Sequence, residues 1–210
     1  MTVHVFPSEI VSAIESRISA NLYDRDHLLS REQIEELVRL ASLAPSAYNL
    51  QNWRFIAVSS PEAKARLTDA AYGQRKVLDA AVTFIIVGQF PSHKALARRL
   101  EPSVAAGFMP REMAESWVGV ISDTFDGKAS ASHDEAIRSA TFAASFLIFA
   151  AQSMGLASGA MTGFEAERVA REFGLGAGEV PVMLMTVGRA AEGNWPQKPR
   201  VPVAELIEHV

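Results

Sequence analysis

The chain has 210 residues, of which 49% are hydrophobic and 21% charged, and its formal net charge is −4 at pH 7. This length and balance are typical of one folded domain with a substantial core, and they argue against a disordered chain. The acidic excess argues against a nucleic-acid partner, because phosphate backbones are bound by clustered lysine and arginine. The chain has no cysteine, which excludes disulfides, thiolate nucleophiles, cysteine-ligated zinc and iron–sulfur clusters.

The N-terminus and the richest apolar segment show no pattern of export or membrane insertion. Residues 1–10 lack the basic stretch and following apolar stretch of a secretory signal. Residues 140–154 are the most apolar, but Thr141, Ser145 and Gln152 interrupt them, and a membrane span takes about 20 apolar residues. We therefore expect a cytoplasmic protein with no membrane partner.

Capping residues predict three helices in the first half of the chain. Ser8 precedes an apolar set and predicts a first helix that ends near Arg17. Ser30 begins a capping-box pattern for a second helix. That helix should stop before Pro45, since the residue preceding a proline disfavours the helical conformation. Ser60-Pro61 opens a third helix with a cap residue and a proline at the first helical position.

Apolar runs predict strands at residues 53–58, 82–88 and 180–188, and the last two runs are continuous enough to lie buried within a sheet. Between them, a helix over 132–154 carries apolar residues on nearly every side. Such a helix must be buried on every side, so part of its surface should meet a second subunit. Helices mixed with a few strands, without strict alternation, predict an α+β fold.

Residues 91–130 differ from the rest of the chain. Prolines and glycines there separate short helical pieces, and the large apolar side chains are loosely spaced. This pattern predicts a helical excursion from the core, more a lid than a scaffold.

Four short segments carry side chains suited to a flat phosphorylated ligand. Arg17-Ile18-Ser19 and Lys198-Pro199-Arg200 offer guanidinium forks, an ammonium group and a hydroxyl for a phosphate, although each cation could simply be a solvated surface charge. Residues 44–53 are rich in amides and hydroxyls that match the mixed edge of a flavin, although they could form a plain turn. The small residues of 155–164 allow close backbone approach to a ligand, or they form a helix C-cap followed by an edge strand.

The order and spacing of these segments resemble the nitroreductase family of flavoproteins over nearly the whole chain, and the most specific block is Ala-Pro-Ser-Ala-Tyr-Asn-Leu-Gln-Asn-Trp-Arg-Phe at 44–55. The resemblance implies a single domain over residues 1–210. It also implies a three-layer α+β sandwich, with a mainly antiparallel sheet flanked by helices, in an intertwined homodimer with two FMN sites at the subunit interface.

The resemblance also assigns residues to the FMN site. The phosphate and ribityl ligands would be Arg17, Ser19, Lys198 and Arg200, with Ile18 and Asn21 beside them; the partner subunit would contribute Pro45, Ser46, Ala47 and Asn49; Gln74 would lie against the ring; and Met161, Thr162 and Gly163 would run past flavin N5. Two departures stand out. Asn21 replaces a basic residue that is common near flavin N1 and O2, so Arg75 or Lys76 would have to substitute for it, and Asn52 replaces a common proline.

The implied activity is the transfer of hydride from NAD(P)H through flavin N5 to small electron-poor acceptors, in two ping-pong half-reactions without a protein nucleophile. Nitroaromatics, quinones, and activated enones or aldehydes are the implied acceptors. The wall of the acceptor pocket would come from the excursion at 91–130, namely from Phe108, Met113, Trp117 and Phe125; the alternative for this excursion is a helical pair packing on the dimer. The five histidines lack metal-ligand spacing, so we expect no metal site.

Three alternatives come from other functional classes. A flavin store or sensor would bind FMN without turnover by NAD(P)H, and Asn21 favours this alternative slightly. A flavin-fragmenting or dehydrogenating enzyme on the same scaffold would use oxygen instead. A plain α+β interaction protein would be colourless.

Overall fold

The computed structural model describes residues 9–210, and its sheet has four strands flanked by helices. The α-helices are α1 (Glu9–Ser16), α2 (Arg31–Ala41), α3 (Pro61–Ala70), α4 (Lys76–Asp79), α5 (His93–Ala105), α6 (Arg111–Phe125), α7 (Ala129–Ser153) and α8 (Ala166–Glu172). The strands are β1 (Trp53–Val58), β2 (Val82–Gln89), β3 (Ala157–Met161) and β4 (Glu179–Gly188), and short 3-10 helices lie at Ala47–Asn49 and Val203–Glu205.

The capping signals in the sequence fix the starts of two helices. The Ser30 hydroxyl accepts a hydrogen bond from the backbone N–H of Gln33, whose side chain accepts from the Ser30 N–H in return, which completes the predicted capping box of α2. The Ser60 hydroxyl accepts from the Ala63 N–H, and Pro61 occupies the first turn of α3. The predicted cap of α1, Ser8, lies outside the described residues, and α1 ends at Ser16, as expected.

Helix α7 begins at Ala129, three residues before its predicted start. The prediction was wrong because it used Ser132 as the first residue. In the structure the Ser132 hydroxyl donates to the carbonyl of Phe125, at 3.1 Å, and does not cap the helix. The helix therefore continues back to the end of the turn that follows α6.

The strands follow the order β1-β2-β4-β3, and every neighbouring pair is antiparallel. Strand β2 is buried over nearly its whole length, which confirms the prediction from its apolar run. Strand β4 is central as well, but only its second half is fully buried. The reason is that the short strand β3 pairs with residues 184–188 only, so the first half of β4 extends beyond it.

The alternation of side chains along the strands divides the core into two faces. Phe84 and Ile86 of β2 pack with residues of α2 and α7 on one face of the sheet. Ile85 points the other way and packs with residues of α3 and α8. This arrangement of helix, sheet and helix confirms the predicted three-layer α+β sandwich. A separate cluster lies between α5 and α6 and includes Leu50.

Helix α7 is buried on one side only within a single chain, and the expectation that a second subunit covers the rest of its surface stays a prediction. Ala140, Ala144 and Leu147 face the sheet and are almost fully buried. Three phenylalanines are 40–47% exposed because no described element of the same chain covers them: Phe142, Phe146 and Phe149. None of the helices within residues 9–210 has the length and apolar content needed to cross a membrane.

Candidate functional site

Segments from the two ends of the chain meet at one cavity of about 200 Å³. Its walls come from the N-terminal part of the chain and from the segment after β4, and they are formed by Arg17, Ile18, Ser19, Asn21, Trp195, Pro196, Gln197, Lys198 and Arg200. The Arg17 guanidinium donates to the Ser19 hydroxyl at 3.3 Å. The structure thus brings together two of the four segments that the sequence singled out; we refer to this cavity as the cationic cradle.

Two amide side chains that the sequence analysis missed hold the cationic cradle together. The Asn194 carbonyl oxygen accepts from the backbone N–H groups of Asn21 and Leu22, at 2.8 and 3.1 Å, and its amide nitrogen donates to the carbonyls of Leu22 and Ala191. The Gln197 amide donates to the carbonyls of Ile14 and Arg17, both at 3.1 Å. An amide can bridge two backbone strands because it has both donors and an acceptor. The only signal in the sequence was the nearness of these amides to Lys198.

A glycine on the edge strand β3 lets the N-terminal segment lie against the sheet. The Ala20 N–H donates to the Ser158 carbonyl at 2.9 Å. A Cβ on Gly159 would lie 2.5 Å from the Ala20 carbonyl oxygen and 2.8 Å from the Thr186 hydroxyl, so only glycine fits without a shift of the backbone. Just before the strand, Gly155 follows α7 with φ +68°. The segment therefore has the C-cap and edge strand of the local alternative, and its strand also holds the N-terminal segment through Ser158.

Gln74 and the end of strand β3 are joined by a hydrogen bond. The Gln74 amide donates to the Gly163 carbonyl at 2.7 Å and to the Ala71 carbonyl at 3.0 Å. Met161 is buried as the last residue of β3, whereas Thr162 and Gly163 are exposed. Thr162 and Gly163 are therefore accessible from solvent, while their carbonyl oxygens accept from the Phe164 N–H and the Gln74 amide.

Lys76, and not Arg75, lies beside Asn21, the residue that replaces a common basic residue of the family pattern. The Lys76 ammonium group donates to the Asn21 side-chain oxygen at 3.3 Å. Arg75 instead pairs with Asp79, at 3.6 Å, and Asp79 also pairs with Arg25. Burial lowers the pKa of Lys76, and the nearby positive charge of Lys198 lowers it further. This repulsion connects Lys76 electrostatically with the cationic cradle.

The cations at this site have no acidic partners in the part of the chain that the structure describes. Within residues 9–210, the ion pairs of the molecule do not include any of the four cations of this group, which are Arg17, Lys76, Lys198 and Arg200. The Lys198 ammonium group lies 5.5 Å from the centre of the Trp195 ring. Unpaired cations gathered around one small cavity favour an anionic ligand, because such a ligand relieves their mutual repulsion.

The predicted segment 45–49 lies on a different side of the molecule. Tyr48, Asn49 and Gln51 have φ values of 51°, 58° and 44°, in the left-handed region, where a non-glycine residue costs about 1–3 kcal/mol. Among residues 9–210, the contacts of this turn lead to α5 and α6 and not to the cationic cradle. For example, the ring of Tyr48 meets that of Trp117 edge-on at 5.3 Å. Pro45, Ala47 and Asn49 are exposed, and Ser46 is partly buried.

The four side chains predicted to wall an acceptor pocket fall into two pairs. Trp117 and Phe125 are partly buried and pack against the cluster between α5 and α6. Phe108 lies between the two helices and is 87% exposed, and Met113 is about half exposed. Residues 93–125 therefore form a pair of helices with its own small core.

Comparison with known proteins identifies the family and supports the fold. The model of the nitroreductase family matches residues 14–189. YodC of Bacillus subtilis, which bears the provisional name NAD(P)H nitroreductase, is 30% identical over 196 residues, covering 93% of this chain and 96% of YodC. A nitroreductase-like structure from Exiguobacterium sibiricum, solved in complex with FMN, aligns with a TM-score of 0.88 and 26% identity, covering 98% of this chain and 99% of that one. The enone reductase of conjugated linoleic acid (CLA) biosynthesis from Lactiplantibacillus plantarum is 26% identical over 192 residues, covering 88% of this chain and 87% of the reductase. The resemblance noted in the sequence is thereby confirmed, and the chain belongs to the nitroreductase family.

Proposed function

We propose that this protein is an FMN-dependent oxidoreductase that takes electrons from NAD(P)H and reduces small electron-poor acceptors. The observation that carries the proposal is the convergence, beside a small cavity, of four cations that have no acidic partner among residues 9–210. Membership of the nitroreductase family and the FMN complex of the Exiguobacterium neighbour support the choice of ligand.

The cationic cradle fits the phosphate end of FMN in both size and chemistry. Its guanidinium and ammonium groups provide a bidentate fork and a point charge, and the Ser19 hydroxyl adds a neutral hydrogen bond. We assign the phosphate and ribityl contacts to Arg17, Ser19, Lys198 and Arg200. Ile18 and Asn21 line the same wall.

The ring end of FMN fits the groups around Gln74. Met161 ends β3, Thr162 and Gly163 are exposed beyond it, and the Gln74 amide is held beside them by its bond to the Gly163 carbonyl. A bound FMN would supply the hydride-transfer chemistry between NAD(P)H and the acceptor, in two half-reactions. The Lys76 ammonium group would stabilise the negative charge that the flavin gains on reduction. In the family pattern, a basic residue in the place of Asn21 has this task.

The position of Lys76 also separates this proposal from a flavin store. The missing positive charge at Asn21 was the feature that favoured a flavin store. Because Lys76 donates to Asn21 from α4, a positive charge is present at the site, and Asn21 no longer favours a store.

A homodimer completes the proposed site. Phe146 and Phe149 of α7 line a groove together with Ile10 of α1, which is 72% exposed. A second copy of the chain would cover this apolar surface. The turn at 45–49 packs against α5 and α6 of its own chain, and we assign Pro45, Ser46, Ala47 and Asn49 to the flavin site of the partner.

The acceptors we propose are nitroaromatics, quinones, and activated enones or aldehydes. The name of the family and that of the Lactiplantibacillus enone reductase support the nitro and enone classes. The α5–α6 pair, with Phe108, Met113, Trp117 and Phe125, is the proposed wall of the acceptor pocket. The cytoplasmic location expected from the sequence stays a prediction.

The proposal is tested by titrating the protein with FMN and following the quenching of flavin fluorescence. Lys198→Gln should weaken FMN binding about 10–100-fold, because a hydrogen bond to a charged group is worth about 1.5–3 kcal/mol. Lys128→Gln is the matched control, since Lys128 is exposed and donates to the Asp123 carbonyl, away from the cationic cradle. A wild-type protein that binds no FMN, or equal affinities for the two variants, would contradict the proposal.

A further inference from the structure

The turn Ser46–Gln51 holds an unfavourable backbone without any glycine. Three of its six residues have left-handed φ values, which side chains other than glycine rarely adopt. Its internal hydrogen bonds run from the backbone N–H groups of Asn49, Leu50 and Gln51 to the Ser46 carbonyl, the Ala47 carbonyl and the Ser46 hydroxyl, at 3.1, 2.9 and 2.9 Å, and from the Gln51 amide to the Asn49 side-chain oxygen, at 3.0 Å. Such a turn needs contacts from the surrounding fold to keep its shape.

Helices α5 and α6 supply these contacts from one side. The Leu50 side chain is fully buried among Leu96, Leu100 and Ile121. The Arg99 guanidinium donates a hydrogen bond to the Leu50 carbonyl oxygen. The contacts fix the buried side of the turn and leave Pro45, Ala47 and Asn49 exposed on the other.

The environment of Arg99 suits this task. Among the described residues, Arg99 has no carboxylate partner, and its neighbour Arg98 places a second positive charge beside it; burial and this charge lower its pKa. A half-buried cation is costly without a hydrogen-bond acceptor, and the Leu50 carbonyl is such an acceptor. Loss of the guanidinium would in turn leave that carbonyl without its donor.

We infer that Arg99 is a positioning residue that holds the turn Ser46–Gln51 in the shape it presents to FMN. The inference rests on the proposed function, since it takes the exposed side of the turn to contact the flavin of the partner subunit. Arg99 itself does not touch the cofactor. It acts through the Leu50 carbonyl, so that α5 contributes to FMN binding as well as to the proposed acceptor pocket.

The first test measures hydrogen exchange of the full-length protein without added FMN. In Arg99→Met, a peptide covering residues 46–52 should exchange about 10-fold faster than in the wild type, while peptides of β2 keep their rates. Arg98→Met is the matched control, because Arg98 is exposed and adjacent but makes no contact with Leu50. Arg99→Lys keeps a donor and should restore much of the protection. Unchanged exchange in Arg99→Met, with the fold intact, would overturn the inference.

The second test measures FMN affinity by fluorescence quenching in the same set of variants. Arg99→Met should raise the Kd for FMN about 10-fold, Arg98→Met should leave it unchanged, and Arg99→Lys should lie between. Faster exchange without loss of affinity would show that the turn does not serve the flavin, and would overturn the positioning role. A wild-type protein that binds no FMN would defeat the proposed function instead, while the exchange experiment would still decide whether Arg99 holds the turn.

Discussion

Replacing Lys76 by methionine tests the electrostatics of the site without emptying the cationic cradle. Lys76 is partly buried and donates to Asn21, and the proposal places its charge near the end of the flavin that becomes negative on reduction. Methionine keeps the length and apolar stem of the side chain and removes the charge. The variant should bind FMN, but its bound flavin should be harder to reduce, so the midpoint potential should fall.

The size of the shift follows from the exposure of Lys76. Two unit charges about 4 Å apart interact by ~1 kcal/mol at the permittivity of water and by ~4 kcal/mol at an effective permittivity of about 20. Because Lys76 is only partly buried, we expect a value near the lower end, about 1–2 kcal/mol. For a two-electron couple, about 30 mV corresponds to 1.4 kcal/mol. The predicted fall in midpoint potential is therefore about 20–45 mV.

The assay is an equilibrium reduction of the FMN-bound protein alongside a reference dye of known potential. Arg75→Met is the matched control, since Arg75 is the next residue but pairs with Asp79 and not with Asn21. Its midpoint potential should stay within a few millivolts of the wild type, because its charge is exposed and screened. Equal shifts in the two variants, or none in Lys76→Met, would refute the role assigned to Lys76.

Three further predictions concern packing, assembly and pH. Gly159→Ala should destabilise the fold by about 1–3 kcal/mol, since its Cβ would meet the Ala20 carbonyl, whereas Gly119→Ala, with nothing within 4 Å, should not; thermal melts that rank the two in the opposite order would contradict this packing. Phe146→Glu should halve the mass measured by light scattering, because it places a charge on the apolar face of α7; a wild-type monomer would contradict the dimer. Arg54 holds the pKa of Glu179 at about 2, below its usual 4.5, so the stability that Glu179 provides is full above pH 4.5 and lost as the pH falls toward 2. Urea unfolding should therefore show that Glu179→Gln is less stable than the wild type at pH 6 but nearly equal to it near pH 2, and a constant difference would refute the pairing.

The parts of the fold that depend on local chemistry could be predicted from the sequence. The capping box of α2 is satisfied within four residues of chain, and β1 occupies the predicted residues 53–58. The start of α7 could not be predicted in this way, because the Ser132 hydroxyl donates to a carbonyl seven residues earlier and does not act as a cap. The exposed phenylalanines of α7 show the same limit, since the apolar pattern of a helix does not tell which of its residues a single chain leaves exposed.

The chemistry of the site could be predicted from residue types, but its construction could not. Arginine, lysine and serine indicated a phosphate, whatever their arrangement. The choice between Lys76 and Arg75 depends on where Asp79 lies. The bridging role of Asn194 depends on its contacts with Asn21 and Leu22, which are 173 and 172 residues away in the chain. Neither distance is visible in the sequence.

The most direct test of the central claim is an anaerobic titration of the purified, FMN-loaded protein with NADH and, separately, with NADPH. We predict that the visible flavin absorption bands bleach at a stoichiometric amount of at least one of the two donors and return when a nitroaromatic, quinone or enone acceptor is added. Bands that persist with both donors would contradict the claim that this protein is an NAD(P)H-dependent flavin oxidoreductase.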